Sequence, residues 1–423
     1  MRGRIAECGE FMNWRALSIE TKGTALLTTR FGKLQDDFKP LSPSAFRTLQ
    51  GWLTERSLSV GELLQGDHSS IIEDLTRDGI EIPSITLLLD RIPALMHALE
   101  RWSEMGIWVV GESDSGFPMR LKQRLHNAAL PLLFGAGPIE RLGNGGVYIV
   151  GSRDSSAEAI QFAIKLAKRC SSENITVISS DMRGVDREAI GAALESGGRA
   201  ICVLSNSLET AVVTRRHRDF IRAGYLTLVT PFSPDTRFRV ANAMRVNRYQ
   251  YCLSDLAVIV ETRREGGVWL GAEENRKESW VPSFVRQAAD IPLGNQALLN
   301  LGLMPLADHE LGDSKALNEY FIHRVVSDGE EQRMAPGPGD NTDKFFMLFC
   351  QQLSDAILAG LGTKSDIKNS MGIETTQFDV WISRALNEGI ITLKSDGESF
   401  DVVEQNRNLA AKNNGKSLKV SYS

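Results

Sequence analysis

Two short polar loops carry residue types that could bind an anionic ligand. Gly151-Ser152-Arg153 ends one apolar run, and the loop Ser179–Asp186 ends the next. Glycine lets the backbone approach a ligand, serine offers a hydroxyl, and arginine offers a charged fork that suits phosphate. We assign Arg183 to the ligand and Asp186 to the first turn of the following helix, where an acid is stabilising. The loops predict an anion site, with a tight turn and a solvated arginine as the alternative.

A basic segment follows between Arg215 and Arg248. It contains eight arginines and two aspartates, in a chain whose net charge is −5. Aromatic residues such as Phe220 and Phe238 are interspersed among the arginines. Arginines hold phosphates and aromatic rings stack on bases, so the segment favours single-stranded nucleic acid over a solvated helix face. The predicted DNA- or phosphate-binding residues are Gly151, Ser152, Arg153, Ser179, Ser180, Arg183, Gly184, Arg237, Arg239, Arg245, Asn247 and Arg248.

A third loop, Glu265-Gly266-Gly267-Val268, follows the apolar run Leu256–Val260 and Glu261. A carboxylate after such a run could act in a nucleotide hydrolase. The sequence supplies no clear nucleophile, acid–base pair or metal-ligand set beside it, and the GxGxxG and GxxxxGK[ST] phosphate motifs are absent. We therefore predict no catalytic residue, no metal and no cofactor.

The elements that position these loops alternate between apolar runs and helical periodicity. Runs at Val147–Val150 and Ile175–Ile178 each lead through a polar loop into a helical pattern. Strand, loop and helix repeated in this order predict an α/β fold with an extended Rossmann-like, doubly wound sheet. In such sheets ligands bind where strands end and helices begin.

Composition divides the chain into five predicted regions. Proline-punctuated helical patterns precede the sheet, and an acidic, Pro- and Gly-rich stretch follows it. Beyond this stretch, three helical patterns and a hairpin at Asp396-Gly397 predict a winged helix. The regions are a helical domain at 1–104, a Rossmann domain at 105–326, a flexible linker at 327–343, a winged-helix domain at 344–403 and a disordered tail at 404–423.

Composition also bounds the class of protein. Hydrophobic residues make up 42% and charged residues 24%, as is typical of globular proteins. The five cysteines are scattered without CxxC spacing, which fits a reducing compartment, and no apolar run has the length of a membrane span. We expect a cytoplasmic protein. MNWRALSIE, from Met12, reads as a natural start, so the residues before it could be non-native.

Over residues 105–305 these motifs resemble the DprA/Smf (DNA-processing protein A) family. That family shows a GSR loop, a motif like SGxARGxD, an RNR-type segment ending in LS, a strand ending in VxE, a glycine loop and a GxNxLIxxG element. The corresponding segments here are Gly151-Ser152-Arg153, Ser179–Asp186, Asn247-Arg248 with Leu253-Ser254, Val258–Glu261, Gly266-Gly267 and Gly294–Gly302.

The resemblance implies a non-enzymatic protein that binds single-stranded DNA in a basic pocket of a Rossmann domain. It also implies a homodimer formed through that domain and a RecA-type recombinase as partner. Helical front domains and winged-helix tails occur in many members. By position, the pocket residues would be Ser152, Arg153, Ser179, Arg183, Gly184, Asn247 and Arg248.

The chain departs from the family pattern at several positions. Ser180 replaces a glycine, Met182 an alanine, Ile190 a histidine and Val246 an arginine. These departures fit a divergent branch, and DprA-like proteins also occur as antitoxins in phage-defence pairs. The role implied is therefore recombination or DNA processing, or neutralisation of a cognate toxin.

Two further readings concern the rest of the chain. Gly266–Glu274 is similar to the glycine-rich loop of nucleotide sensors and cytokinin-activating phosphoribohydrolases, which leaves a nucleotide-binding or N-glycosidase function as the alternative. Residues 343–403 contain five basic and nine acidic residues, so we expect the winged helix to dock a protein rather than to bind duplex DNA tightly.

Overall fold

The computed structural model describes residues 17–31, 39–65, 69–80, 85–312, 316–334, 341–371, 375–387, 390–394 and 399–402. The predicted tail at 404–423 and the segment before Met12 lie outside these residues. The chain forms two compact units, Met1–Asp313 and Ser314–Ser423. No helix in the described ranges is long and apolar enough to cross a membrane.

The described part of residues 1–104 is mainly helical, as the apolar spacing predicts. Ser18 and Ser42 cap the first two helices, because each side chain accepts a hydrogen bond from the first turn. Buried side chains such as Leu49 and Trp102 form the inner faces. The helices are α1 (Ile19–Thr28), α2 (Pro43–Glu55), α3 (Ser69–Arg77), α4 (Ile85–Leu89) and α5 (Ile92–Glu104).

A nine-stranded sheet follows in the same unit. Its strands are β1 (Trp108–Gly111), β2 (Leu132–Ala136), β3 (Val147–Gly151), β4 (Val177–Ser179), β5 (Ala200–Val203), β6 (Leu226–Thr230), β7 (Leu256–Glu261), β8 (Ser283–Gln287) and β9 (Met304–Ala307). Their order is β1-β2-β6-β5-β4-β3-β7-β8-β9. The β1–β2 and β2–β6 pairs are antiparallel and the other pairs are parallel. This sheet confirms the predicted α/β, Rossmann-like architecture.

Within the described residues, eight α-helices connect strands of this sheet. They are α6 (Met119–Leu125), α7 (Ala157–Ser172), α8 (Val185–Glu195), α9 (Leu208–Val213), α10 (Arg215–Arg222), α11 (Val240–Leu253), α12 (Gly267–Glu278) and α13 (Leu293–Asn300). Among these eight, α6 alone joins an antiparallel pair, β1 and β2. The chain runs outward from β3 to β6 and returns through α11 to β7, on the other side of β3. The strand order therefore reverses between β3 and β7, and open α/β sheets bind ligands at such a point.

The two faces of the sheet carry different helices. Tyr148 and Val150 of β3 pack in one cluster with Tyr251 of α11. Gly151 faces the other side, because a Cβ there would lie 2.6 Å from the side chain of Val185 in α8. Side chains alternate between the faces along a strand. Helices α11 and α8 therefore cover opposite faces.

The second unit contains four helices and a hairpin. They are α14 (Leu317–Met334), α15 (Asn341–Leu358), α16 (Lys364–Met371), α17 (Thr375–Asn387), β10 (Ile391–Leu393) and β11 (Phe400–Val402). Buried residues of α15, α16, α17 and the hairpin, among them Phe349, Ile367, Phe378 and Phe400, share one core. This is the order of elements expected for a winged helix, and that assignment stays a prediction.

Parts of the predicted linker at 327–343 are helical. Its first part, 327–334, continues α14, and 341–343 begins α15, whereas 335–340 lie outside the described residues. The part at 327–334 is polar, but Glu, Gln, Arg and Met have high helix propensity. Low hydrophobicity therefore does not prevent these residues from continuing α14. The boundary between the compact units falls after Asp313 rather than near residue 326, and α14 contacts α17 of the second unit.

Candidate nucleic-acid interface

The first two loops and the third meet at the carboxyl edge of the sheet. Gly151 at the end of β3 lies opposite Glu261 at the end of β7. The backbone oxygen of Glu261 accepts hydrogen bonds from Ser152 N (2.8 Å) and Ser152 Oγ (3.2 Å). The GSR loop and the β7 loop are therefore adjacent at the reversal point, and we call this part of the carboxyl edge the crevice.

The carboxylate of Glu261 is hydrogen-bonded at the N-terminal end of α7. It accepts hydrogen bonds from the backbone N of Ser156, at 3.1 and 3.2 Å, and from Ser156 Oγ at 2.7 Å. Ser156 is the N-cap of α7. The corresponding helix end receives the pyrophosphate in dinucleotide-binding sheets. Here the Glu261 carboxylate occupies two hydrogen-bond donors at that helix end.

Asp186 joins the first loop to the second from beneath. Its Oδ1 accepts a hydrogen bond from Gly151 N (3.2 Å), and its Oδ2 accepts one from Ser180 Oγ (2.5 Å). The carboxyl is buried, and burial raises its pKa to about 6, although the bonds from Ser180 and Gly151 and the charge of Arg153 act in the opposite direction. Asp186 lies in the first turn of α8, as expected, but its side chain holds the two loops together.

Two of the predicted ligand hydroxyls form hydrogen bonds within the fold. Ser179 is fully buried and donates to the backbone oxygen of Ile149 at 2.6 Å. Ser180 is buried and donates to Asp186. A serine at a strand end could bind a ligand or bond within the fold, because a buried hydroxyl needs a hydrogen-bond partner in either case. These hydroxyls therefore bond within the fold, and their assignment to a ligand stays a prediction.

Gly184 permits the close approach of the two loops. Its φ is +97°, a region that side chains with a Cβ rarely adopt. A Cβ at this position would lie 2.6 Å from the backbone oxygen of Ser152 and 2.7 Å from that of Arg153. The glycine therefore keeps the GSR loop in contact with the beginning of α8.

Arg153 and Phe238 form an exposed pair on the crevice. The guanidinium carbon of Arg153 lies 5.3 Å from the centre of the Phe238 ring. Phe238 belongs to the segment between β6 and α11, which thus reaches the β3 loop. It remains 41% exposed, and its neighbours Arg237 and Arg239 are exposed too. Positive charge and an open aromatic ring are thereby brought together at one place.

The remaining predicted residues have mixed surroundings. Arg183 is exposed and forms an ion pair with Asp154. Arg245 is exposed on α11. Asn247 donates to the backbone oxygen of Gly267 at 2.8 Å, and Arg248 forms an ion pair with Glu274 at 2.6 Å. Asn247 and Arg248 therefore join α11 to α12, and Glu274 compensates the charge of Arg248.

The structure does not bring the whole basic segment together. Arg245 and Arg248 lie on α11, over one face of the sheet. On the other face, the guanidinium of Arg216 in α10 donates to the backbone oxygen of Arg187 in α8 at 2.8 Å. The chain passes over the carboxyl edge between β6 and α11. The two groups of arginines therefore lie on opposite faces of the sheet.

Two exposed arginines at the crevice were missed from the sequence. Arg263 and Arg264 follow Glu261 in the loop between β7 and α12. The backbone of this loop is fixed, because Thr262 N donates to Oδ1 of the buried Asn295 at 2.8 Å. Two consecutive arginines, separated from the end of a buried strand by Thr262 alone, were the available signal.

The middle of the chain is similar to known proteins. Residues 108–302, from β1 through α13, match the family described as DNA recombination-mediator protein A. The solved structure of DNA processing protein A from Streptococcus pneumoniae is 18% identical, with a TM-score of 0.44, over 64% of this chain and 97% of that one. The protein of the same name from Helicobacter pylori, described with a single-stranded DNA binding mode, is 21% identical, with a TM-score of 0.41, over 52% of this chain and 96% of that one. A search of the curated proteins finds no match.

Proposed function

We propose that this chain belongs to the DNA recombination-mediator protein A family, whose model matches residues 108–302, and that it binds single-stranded DNA along the carboxyl edge of its sheet. The observation that carries the proposal is the Arg153–Phe238 pair, with Arg237 and Arg239 beside it. Arginines neutralise the phosphates, and an exposed ring stacks on a base without selecting its sequence.

The position of Glu261 also supports a polynucleotide backbone over a single nucleotide. In the related nucleotide-binding folds, the beginning of the first helix receives the ligand phosphate. Because the Glu261 carboxylate is bonded to Ser156 at that place, a nucleotide sensor or phosphoribohydrolase would have to displace it. DNA phosphates bound by the exposed Arg153, Arg237 and Arg239 require no displacement of Glu261. A nucleotide-binding function is therefore less well supported.

We propose a binding role without catalysis. The two buried carboxylates nearest the crevice, Asp186 and Glu261, are occupied in holding loops. Within the described ranges, no group of three or more His, Cys, Asp and Glu side chains could hold a metal ion. A screen of nucleoside monophosphates for base release tests this point, and any turnover would contradict it.

The cellular role that we propose is recombination or DNA processing in the cytoplasm, as a homodimer formed through the sheet-containing unit. The departures at Ser180 and Met182 keep the antitoxin role as the second candidate. Residues 344–403, if they form a winged helix, would dock the protein partner, a RecA-type recombinase or a toxin. Co-expression with an adjacently encoded toxic enzyme distinguishes the roles, since rescue of growth supports only the antitoxin.

The binding experiment compares two variants of the full chain by fluorescence anisotropy with labelled oligo(dT). Replacing Arg153, Arg237 and Arg239 by alanine removes three charges at the crevice. Arg276→Ala with Lys277→Ala removes exposed charge at the other end of α12. The first variant should bind at least tenfold more weakly, with a salt slope reduced by about 2, since each single-strand phosphate contact contributes about 0.7. Equal affinity in the crevice variant would exclude the assigned site.

A further inference from the structure

Helix α10 is the part of the basic segment that the crevice leaves unused. Its eight residues include Arg215, Arg216, Arg218 and Arg222 but one aspartate, Asp219. It lies on the face of the sheet that carries α8, whereas α11 lies on the other face. The helix therefore forms a separate basic surface.

Three of these arginines share one side of the helix. Arg215, Arg218 and Arg222 are three and four residues apart, and such residues are neighbours on a helix surface. All three are exposed. His217 is buried and lies roughly 200° around the helix from Arg215, since each residue turns the helix by about 100°. The stripe thus faces away from the protein.

Contacts of the inner side hold the stripe in position. His217 Nε2 lies 3.6 Å from Asp181 Oδ2, in the loop after β4. His217 Nδ1 lies 3.1 Å from the backbone oxygen of Ala211. Arg216 is bonded to the backbone of α8. The stripe consequently stands on a fixed helix and starts near the carboxyl edge, where the second loop lies.

The stripe has the chemistry of a phosphate row without the means to stack bases. It runs over all eight residues of α10, about 10 Å from Arg215 to Arg222, which is the axial length of about three phosphates of one duplex strand at a rise of 3.4 Å each. Phe220 lies roughly 140° around the helix from Arg215, outside the stripe. We propose that Arg215, Arg218 and Arg222 bind the backbone of duplex DNA, so that the protein holds a junction with its single strand in the crevice. Binding of such a junction depends on the proposed single-strand function, whereas duplex binding by α10 is independent of it.

The experiment uses the full chain and three fluorescent DNA ligands. They are dT12, a 12-base-pair duplex with a dT12 tail, and the same duplex with blunt ends. Arg215→Ala/Arg218→Ala/Arg222→Ala is compared with a control that removes three exposed charges elsewhere, Lys168→Ala/Arg276→Ala/Lys277→Ala. Unchanged dT12 affinity shows that the α10 variant is folded.

Wild-type protein and control should bind the tailed duplex more tightly than dT12. In the α10 variant this ratio should fall to about one, and the salt slope for the tailed duplex should fall by about 2.7, for three phosphates at about 0.9 each. An unchanged ratio and slope would overturn the proposal and leave the stripe to an acidic protein. If dT12 fails to bind the wild type, the single-strand function fails, and the blunt duplex still tests the stripe on its own.

Discussion

Replacing Asp186 by asparagine should change how the stability of the first unit depends on pH. Burial raises the pKa of this carboxyl from its ordinary value of 3.8 to about 6. The folded state therefore binds more protons than the unfolded state between these values, and the free energy of unfolding falls as pH rises through this window. At 1.36 kcal/mol for each pKa unit, the ionised carboxylate costs about 3 kcal/mol above pH 7.

Asparagine keeps the shape and can keep both hydrogen bonds. Its oxygen can accept from Gly151 N, and its amide can donate to Ser180 Oγ. Asp186→Asn should therefore match the wild type near pH 3.5, where both side chains are neutral. At pH 7.5 it should be more stable by up to about 3 kcal/mol.

Urea unfolding of the full chain at several pH values measures this difference. Taking the variant minus the wild type at each pH cancels the other titrating groups. Asp235→Asn, at an exposed carboxylate, controls for the loss of one negative charge. A difference that stays constant from pH 3.5 to 7.5, or that grows toward low pH, would refute the assigned burial and bonding of Asp186.

Three substitutions test the loops around the crevice by urea unfolding. Gly184→Ala should destabilise the first unit by about 2–4 kcal/mol, because φ is +97° and the new Cβ would meet the Ser152 carbonyl; a loss below about 0.5 kcal/mol would contradict this contact. Asn295→Ala should cost about 2–4 kcal/mol, since its buried amide bonds three backbone groups; an almost neutral effect would count against it. Glu261→Gln should cost about 1–2 kcal/mol through the weaker bonds to Ser156 and the helix end; equal or greater stability would show that the charge does not matter there.

The architecture of the first unit could be predicted because its signals are local. Val147–Val150 is an apolar run that ends at Gly151, and this is sufficient to place a buried strand and its loop. Periodicity also locates the helices after both loops. The order of the strands, and with it the adjacency of Gly151 and Glu261, depends on pairings between distant segments and follows from the sequence only through the family resemblance.

The fate of individual side chains could not be predicted in the same way. Ser179 and Arg153 both follow strands, yet Ser179 bonds inside the sheet while Arg153 reaches Phe238 at the surface. The sequence also does not show which distant carboxylate an arginine pairs with, as the ion pair of Arg248 and Glu274 illustrates. The basic segment is continuous along the chain, but β6 and the loop after it, between Arg222 and Arg237, carry it to the other face of the sheet.

The location of bound single-stranded DNA can be measured by ultraviolet cross-linking of oligo(dT) to the full chain, followed by Asp-N digestion and mass spectrometry. Cleavage before aspartates isolates the crevice segment Asp235–Ser254, which contains Phe238, from Asp186–Arg218 and Asp219–Pro234, the two peptides that share α10. We expect the cross-linked nucleotide on Asp235–Ser254, and on Phe238 within it, because that ring is exposed beside Arg153. Cross-links confined to α10 or to the second unit, with none on Asp235–Ser254, would contradict single-strand binding at the crevice.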